Sequence, residues 1–588
     1  MAMLDPADER AITSLQEEGS RTLVIAAVMA ALFVSALSQT VTGTALPRII
    51  GDLGGIGLYS WVLTASMLAA TAAMPLVGKL SDLYGRKLFL MGGIALFMVA
   101  SALTGAAQNM IQLISFRAVQ GLAGGTIMAS AFATIGDLFS PAERGRYFGL
   151  FTSVFAVASI AGPLIGGFLT DHVGWRWVFY VNIPFGFLAL AILARGLSPG
   201  RIAARAGPID WLGMAALLWC VMPLLLALAW AGNRFSWGSW QVAGLLAMSG
   251  AGLLVFLAIE RGAADPVLPL PLFQDRTFVV ASAVAFLTGM GLFGALSYMP
   301  LFIQGALGAS ATNSGLVNTP LMLGLTAASL AGGNLASRTR RYRWTVIAGG
   351  VVLVGGMAIL LPLDEQASLF LPVAAMVVVG LGLGLSIPLL GLAVQNALAD
   401  RMLGVASAST QFFREIGGTL GIALSGTMVT AQLHGALLKR LPPELTSVAP
   451  EETLRQLEEP RILLSPEALE RMRDGFAAFG AEGPALYERT ISAMQGVLAA
   501  GLHDVFVVGL VVAMLALAAS IFLPDLPLRT QPAVAQQRPS VFPDWTFWSG
   551  EGRFPEEEPL LAERHADDGE AREELLETLN MSSAAGDW

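Results

Sequence analysis

This sequence predicts an all-α protein that crosses a membrane many times, on three observations. First, of 588 residues 55% are hydrophobic and only 13% charged, and the mean hydropathy is +0.66, too apolar for a soluble chain of this length. Second, the apolar residues gather in runs of roughly twenty, the helix length that crosses about 30 Å of hydrocarbon, where no backbone amide can stay unpaired. Third, lysine and arginine collect in alternate connections between the runs. A single cysteine, Cys220, excludes an internal disulfide framework, and with only four histidines it leaves little material for a zinc site. No cofactor is expected. The formal charge of -9 is concentrated near the end of the chain, at Glu556, Glu557, Glu558, Asp567, Asp568, Glu573 and Glu574. That describes an acidic tail and gives no reason to expect nucleic-acid binding.

Taken in order, the spans fall at 23–47, 60–77, 88–107, 110–136, 147–170, 177–197, 211–231, 240–259, 277–305, 314–335, 345–363, 368–395, 404–430 and 500–523. The first follows an acidic stretch (Asp5, Asp8, Glu9, Glu17, Glu18), is too long for a signal-peptide core and shows no small-residue cleavage site, so it is expected to be retained. Short loops that carry lysine and arginine resist translocation. With the N-terminus inside, the cytoplasmic loops hold Lys79, Arg86 and Lys87; Arg144 and Arg146; Arg195, Arg201 and Arg205; Arg261 and Arg276; Arg338, Arg340, Arg341 and Arg343; and Arg401. The short outer loops hold Arg48, Arg176 and Arg234. The expectation is a multi-pass cell-membrane protein with both termini cytoplasmic. The spans at 211–259 are joined by a loop nearly as apolar as they are, through Trp237, Gly238 and Trp240. The outer segment 431–499 is rich in Leu, Glu and Arg, and Ser465 followed by Pro466 and Glu467 reads as the start of an amphipathic helix. After Asp525 the chain is proline-rich, then acidic, and cannot bury a core.

Two loops resemble each other. One is Gly78-Lys79-Leu80-Ser81-Asp82-Leu83-Tyr84-Gly85-Arg86-Lys87, and the other is Gly333-Asn334-Leu335-Ala336-Ser337-Arg338-Thr339-Arg340-Arg341. This weak repeat suggests two six-helix halves, as transport folds built from repeats have, although any cytoplasmic turn tends to carry glycine and arginine. The expected organisation is a cytoplasmic segment 1–21, a six-helix half 22–200, two inserted helices 201–265, a second half 266–525 that includes loop 431–499, and a disordered acidic tail 526–588. Of the 65 glycines many lie within spans, where small residues allow close helix contact. In Ala161-Gly162-Pro163-Leu164-Ile165-Gly166-Gly167 a mid-helix proline frees a carbonyl beside three glycines, which predicts a moving joint.

At these residues the chain resembles the major facilitator superfamily over roughly residues 22–525, and within it the fourteen-helix drug:proton antiporter branch of the EmrB/QacA type. The family's loop motif Gly-x-Leu-x-Asp-x-x-Gly-Arg-Lys is matched by Gly78, Leu80, Asp82, Gly85, Arg86 and Lys87. Its helix 4 motif is matched by Arg117, Gln120, Gly121, Gly124 and Gly125, and its antiporter motif in helix 5 by Gly162, Pro163, Gly166 and Gly167. Trp175-Arg176-Trp177 with Asn182 and Pro184, and Ala45-Leu46-Pro47, agree as well. The resemblance implies a major facilitator fold of two six-helix halves plus two inserted helices. It also implies a latch in which Asp82 bridges the arginines of its own loop and the positive end of a helix in the other half. One position departs from the branch. Ser38 stands where its members carry a helix 1 acid that cycles the coupling proton, and a serine cannot do so.

Ionisable groups inside spans are costly and are functional candidates by default. Arg117 is expected to face an inner cavity, with Gln39 or Gln120 as partners, or else to act as structural glue on backbone carbonyls. Arg414 and Glu415 lie about 15 Å inside their helix, and Glu415 is the surviving candidate for a proton-coupling acid, or else a permanently ionised partner of an arginine. The predicted cavity lining includes Ser38, Gln39, Trp61, Arg117, Gln120, Tyr298, Phe412 and Arg414, with Phe151, Phe155, Phe293, Phe302 and Phe413 as further aromatics. Few fixed charges argue against dianionic substrates. No Gly-x-x-x-x-Gly-Lys phosphate loop is present, so energy must come from a gradient or from the substrate's own partition. The sequence predicts a non-enzymatic exporter of small amphipathic or hydrophobic compounds by alternating access, monomeric, with protons and membrane lipids as its other partners. A lipid or hydrophobic-metabolite exporter with weak or no proton coupling stays open because of Ser38, as does a non-transporting sensor or scaffold with the acidic tail as its working part.

Overall fold

A computed structural model describes residues 6–54, 58–196, 210–232, 234–308, 311–365, 367–398, 402–448, 463, 466–476 and 482–528. Among these residues the chain is helical, with no strand beyond an isolated bridge between Ala231 and Phe235. Each predicted span contains a helix. They are α1 (Pro6–Leu53), α2 (Tyr59–Tyr84), α3 (Arg86–Gly105), α4 (Met110–Leu138), α5 (Pro141–His172), α6 (Trp177–Tyr180), α7 (Asn182–Gly196), α8 (Trp211–Trp230) and α9 (Trp240–Glu260). There follow α10 (Arg276–Leu301), α11 (Ala311–Thr339), α12 (Arg343–Ile359), α13 (Phe370–Ala397), α14 (Leu403–Arg440), α15 (Pro443–Val448), α16 (Pro466–Phe476) and α17 (Gly483–Ile521). Among the described residues twelve helical stretches are long and apolar enough to cross a membrane, and α12 is a shorter apolar helix.

Local chemistry sets many of the starts. Asn109 accepts from the Gln112 amide at 2.9 Å ahead of α4, Asp210 from Gly213 at 2.7 Å ahead of α8, and Asp275 from Phe278 at 2.8 Å ahead of α10. Each satisfies an amide that the first turn leaves unpaired. Ser140 and Glu143 form a capping box on α5, with Pro141 in the first turn. Gly85, at φ +92°, makes the sharp turn between α2 and α3.

Four boundaries differ from the sequence reading. The span at 177–197 is broken into α6 and α7 at Val181, and α10 passes Pro300 into a π turn at Phe302–Ala306. α14 and α17 run to 38 and 39 residues, which at 1.5 Å per residue exceeds the hydrocarbon thickness. Much of segment 431–499 is therefore a continuation of these two helices. α16 begins at Pro466, and its Leu469, Met472 and Phe476 pack on the core shared by α10 to α14 and α17. Residues 526–528 belong to a strap under α12 and α13, where Asn396 donates to the Pro527 carbonyl at 3.3 Å and Leu528 donates to Arg340 at 3.1 Å. The remaining tail, and the loop carrying Arg201 and Arg205, lie outside the described residues.

α1 to α7 pack together, as do α10 to α14 with α17, while α8 and α9 form a hairpin of their own that touches α2 and α14. The two groups meet through α2 against α14 and α5 against α11. Glycines permit both approaches at the end of the molecule that carries the basic loops. A methyl group at Gly78 would lie 2.6 Å from the Ala408 Cβ and 2.9 Å from the Gly404 carbonyl, and one at Gly145 2.9 Å from the Gly333 carbonyl.

Candidate functional site

Between the two groups of helices lies a cavity of about 270 Å³ lined by α1, α2, α4, α5, α10, α11, α13 and α14. Its wall is largely apolar, with Met67, Met128, Phe132, Phe155, Phe293 and Met322. Hydroxyls and amides of Gln39, Thr40, Thr71, Ser159, Ser407 and Gln411 interrupt it, and among the described residues the only charged side chains in the lining are Arg414 and Glu415.

Both charges belong to α14, whose path is dictated by α10. Gly417 and Gly421 lie on the Phe286 and Met290 backbone, and Gly289 on α10 lies on the Arg414 carbonyl, with no room for a side chain at any of the three. This contact fixes the α14 backbone and sends the stripe Ser407, Gln411, Glu415, spaced one helical turn apart, towards the cavity. Gln411 donates to Glu415 Oε1 at 2.8 Å. Arg414 Nε is buried with no acceptor, and among the described residues Arg414 makes no hydrogen bond or ion pair.

Of the residues expected to line the cavity, Gln39, Arg414, Phe155 and Phe293 do so. Ser38, Trp61, Arg117, Gln120, Tyr298 and Phe412 do not. Ser38 and Gln39 are neighbours about 100° apart on their helix, so when Gln39 opens to the cavity Ser38 turns into the bundle. There Arg117, 2% exposed, donates to Gln120 Oε1 at 2.7 Å, Ser66 Oγ at 3.1 Å, the Val62 carbonyl at 3.3 Å and Ser38 Oγ at 3.4 Å. Gln120 passes the network on to Ser101 at 2.7 Å, and Asn182 donates to the same hydroxyl at 3.4 Å. The network joins α1, α2, α3, α4 and α7 and contains no carboxylate. Phe412 turns away from the cavity onto Phe413, which meets Phe273 edge-on at 6.3 Å. Tyr298 donates to the Ile422 carbonyl at 3.1 Å, and Trp61 meets Trp230 of the α8–α9 hairpin edge-on at 5.9 Å. The expected joint in α5 is not a break, since the helix runs unbroken through Pro163. Gly162 is the point where α5 presses on Thr40 of α1, whose hydroxyl donates to the Ala158 carbonyl at 3.1 Å. Gly166 lies buried on the same helix, and at Gly167 a side chain would meet open space.

The loop motif assembles a second feature. The Asp82 carboxylate accepts from the amides of Gly404 and Val405, each at 3.0 Å, at the start of α14. It also pairs with Arg86, which donates to Asp137 at 3.0 Å and Ser81 at 2.7 Å. A carboxylate with a side chain 6% exposed thus caps the positive end of a helix from the other group. Lys87 stands apart, donating to the Ala194 carbonyl at 3.0 Å, while Lys79 pairs with Asp265 after α9.

Two bundles around a shared apolar cavity, with the charge confined to one wall, define a multi-pass membrane transporter. The chain belongs to the major facilitator superfamily, whose pattern matches residues 28–422, and is an efflux transporter of that family and not an enzyme. It is 38% identical over 534 residues to the multidrug transporter protein MdtP of Bacillus subtilis (strain 168), covering 89% of this chain and 96% of the relative. It is 36% identical over 419 residues to multidrug resistance protein 3 of the same organism, covering 71% and 81%. Among solved structures it shares its fold with the proton:xylose symporter XylE, at TM-score 0.52 and 13% identity, covering 88% of this chain and 98% of that one.

Proposed function

We infer that the protein exports small amphipathic, largely apolar compounds across a cell membrane, by rocking two six-helix halves about the cavity, with Glu415 as the acid that exchanges a proton for substrate. The single observation that carries this is the cavity itself, which has an apolar wall shared by both bundles and one carboxylate on it. A proton and a cationic or hydrogen-bonding substrate compete for that carboxylate, and competition for one group is what exchange requires. The multidrug names of the relatives support the substrate class. The charge asymmetry of the loops supports cytoplasmic termini and an Asp82 latch on the cytoplasmic side, which on this reading holds the transporter closed there. Proteoliposome efflux of ethidium across an imposed pH gradient tests the reading. The wild type responds to the gradient, whereas Glu415→Gln exchanges ethidium across the membrane but no longer responds. Gradient-independent efflux by the wild type would remove the proton from the mechanism.

A second reading, export of a lipid or hydrophobic metabolite without proton coupling, is favoured by the Arg117 network, which has serine and glutamine where a titrating group would be needed. The same assay separates the two.

A further inference from the structure

Resting on the reading of export through this cavity, we propose that Arg414 binds the acidic group of amphipathic carboxylic or sulfonic acids. We propose further that the sign of the bound charge decides what drives export. Anions held by Arg414 leave on the membrane potential, while cations held by Glu415 leave in exchange for a proton.

The argument starts from an imbalance. A guanidinium offers five donors and cannot be deprotonated under ordinary conditions. Out of water and without an acceptor it is costly, and the cost is relieved by hydrogen-bond acceptors, most strongly by the charged oxygens of an anion. Arg117, in the other bundle, meets this requirement with four acceptors. Arg414 does not, since its Nε is buried without a partner and the neighbouring carboxylate of Glu415 takes its hydrogen bond from Gln411. The backbone cannot shift to find one, because Gly289 is pressed against the Arg414 carbonyl and a methyl group there would lie 3.0 Å from the Arg414 Cγ. Among the described residues no other titratable or charged side chain lines the cavity from α1, α2, α4, α5, α10, α11 or α13. The opposite wall offers only neutral hydrogen-bonding groups, the side chains of Ser35, Gln39, Thr40, Thr71, Thr152 and Ser159. The acceptor is therefore supplied from the cavity, by water or by a bound molecule that displaces it. The planar fork of arginine suits the paired oxygens of a carboxylate or sulfonate, and Met67, Met128, Phe132 and Phe293 offer an apolar bed for the rest.

The coupling follows from charge. An anion on Arg414 is repelled by ionised Glu415, so a proton on Glu415 favours the anion where it would displace a cation. Exchange requires competition for one group, and an anion on Arg414 does not compete with the proton on Glu415, so exchange against protons is not built on an anionic substrate. An anion leaving a compartment that is electrically negative inside moves down the potential, which supports a concentration ratio of about 50-fold per 100 mV.

The test uses the full chain in proteoliposomes with two probes, 8-anilinonaphthalene-1-sulfonate as the anion and ethidium as the cation, and either a potassium–valinomycin potential or a pH gradient. In the wild type the potential alone is expected to speed anion efflux about tenfold and the pH gradient alone to change it far less, the reverse of ethidium. The ratio of anion to cation efflux is expected to fall at least tenfold in Arg414→Gln, to recover in part in Arg414→Lys, and to rise in Glu415→Gln. Anion efflux that needs the pH gradient, or an unchanged ratio in Arg414→Gln, overturns the proposal while leaving ethidium export intact. Failure of the wild type to move either probe overturns the export reading and the proposal with it. The wild-type arm decides the question of drive even if a variant fails to fold.

Discussion

Each of the two bundles places an arginine well inside a helix, and the two have opposite surroundings. Arg117 of α4 is closed into a network of serines, glutamine and a carbonyl, with no counter-charge and no opening to the cavity. Arg414 of α14 faces the cavity with a carboxylate beside it and an unfilled donor. The difference teaches that an ionisable residue within lipid can be structural or functional according to whether its own fold supplies acceptors. A satisfied arginine ties five helices into one block, whereas an unsatisfied one leaves something for a substrate to do.

The contrast can be broken first by truncation. Arg117→Met is expected to lower stability by about 3 kcal/mol or more, since four acceptors lose a charged donor, whereas Arg414→Met costs less than about 1 kcal/mol because no bond is lost. Thermal unfolding in detergent, followed through labelling of the buried thiol of Cys220, reads both, and equal losses would erase the distinction. Next comes the latch that joins the two blocks. Asp82→Asn leaves Arg86 and the α14 amides without their carboxylate, and is expected to shift the equilibrium by about 2 kcal/mol, roughly 30-fold, towards the state open at the basic-loop end. Faster maleimide labelling of Thr410→Cys in a Cys220→Ser background would show it. Gly78→Val should push the same way by about 1–2 kcal/mol through overpacking, while Gly43→Ala, where a side chain meets nothing within 4 Å, serves as the neutral control in the same labelling. The smallest effect is expected from Trp237→Phe. Trp237 donates to Thr427 at 2.6 Å and ties the α8–α9 hairpin to α14, so its loss should lower the melting midpoint by an amount worth about 1 kcal/mol.

Much of this architecture is legible in the sequence, because the hydrocarbon thickness is a fixed ruler and unpaired amides are not tolerated in lipid. The loop motif was legible too, since the spacing from Gly78 to Arg86 places a carboxylate, a sharp turn and a guanidinium within one loop. Glu415 is legible as an intramembrane acid, and the four-residue spacing Ser407, Gln411, Glu415 carries its cavity-facing stripe, whereas nothing local shows that the adjacent aromatics Phe412 and Phe413 pack on each other. The rotation of α1 was not legible. Ser38 and Gln39 are equally polar, and nothing local says which one faces the cavity.

The sequence by itself determined that this is a many-spanning α-helical membrane protein, where its helices lie and where its latch is, because solvation by lipid and short-range spacing act on the chain locally. Only the tertiary structure decided which polar residues became a closed network and which became the wall of a cavity. That choice depends on the rotation of each helix about its own axis, and the rotation is set by glycine contacts with partners far away in the chain, such as Gly289 against Arg414 and Gly162 against Thr40.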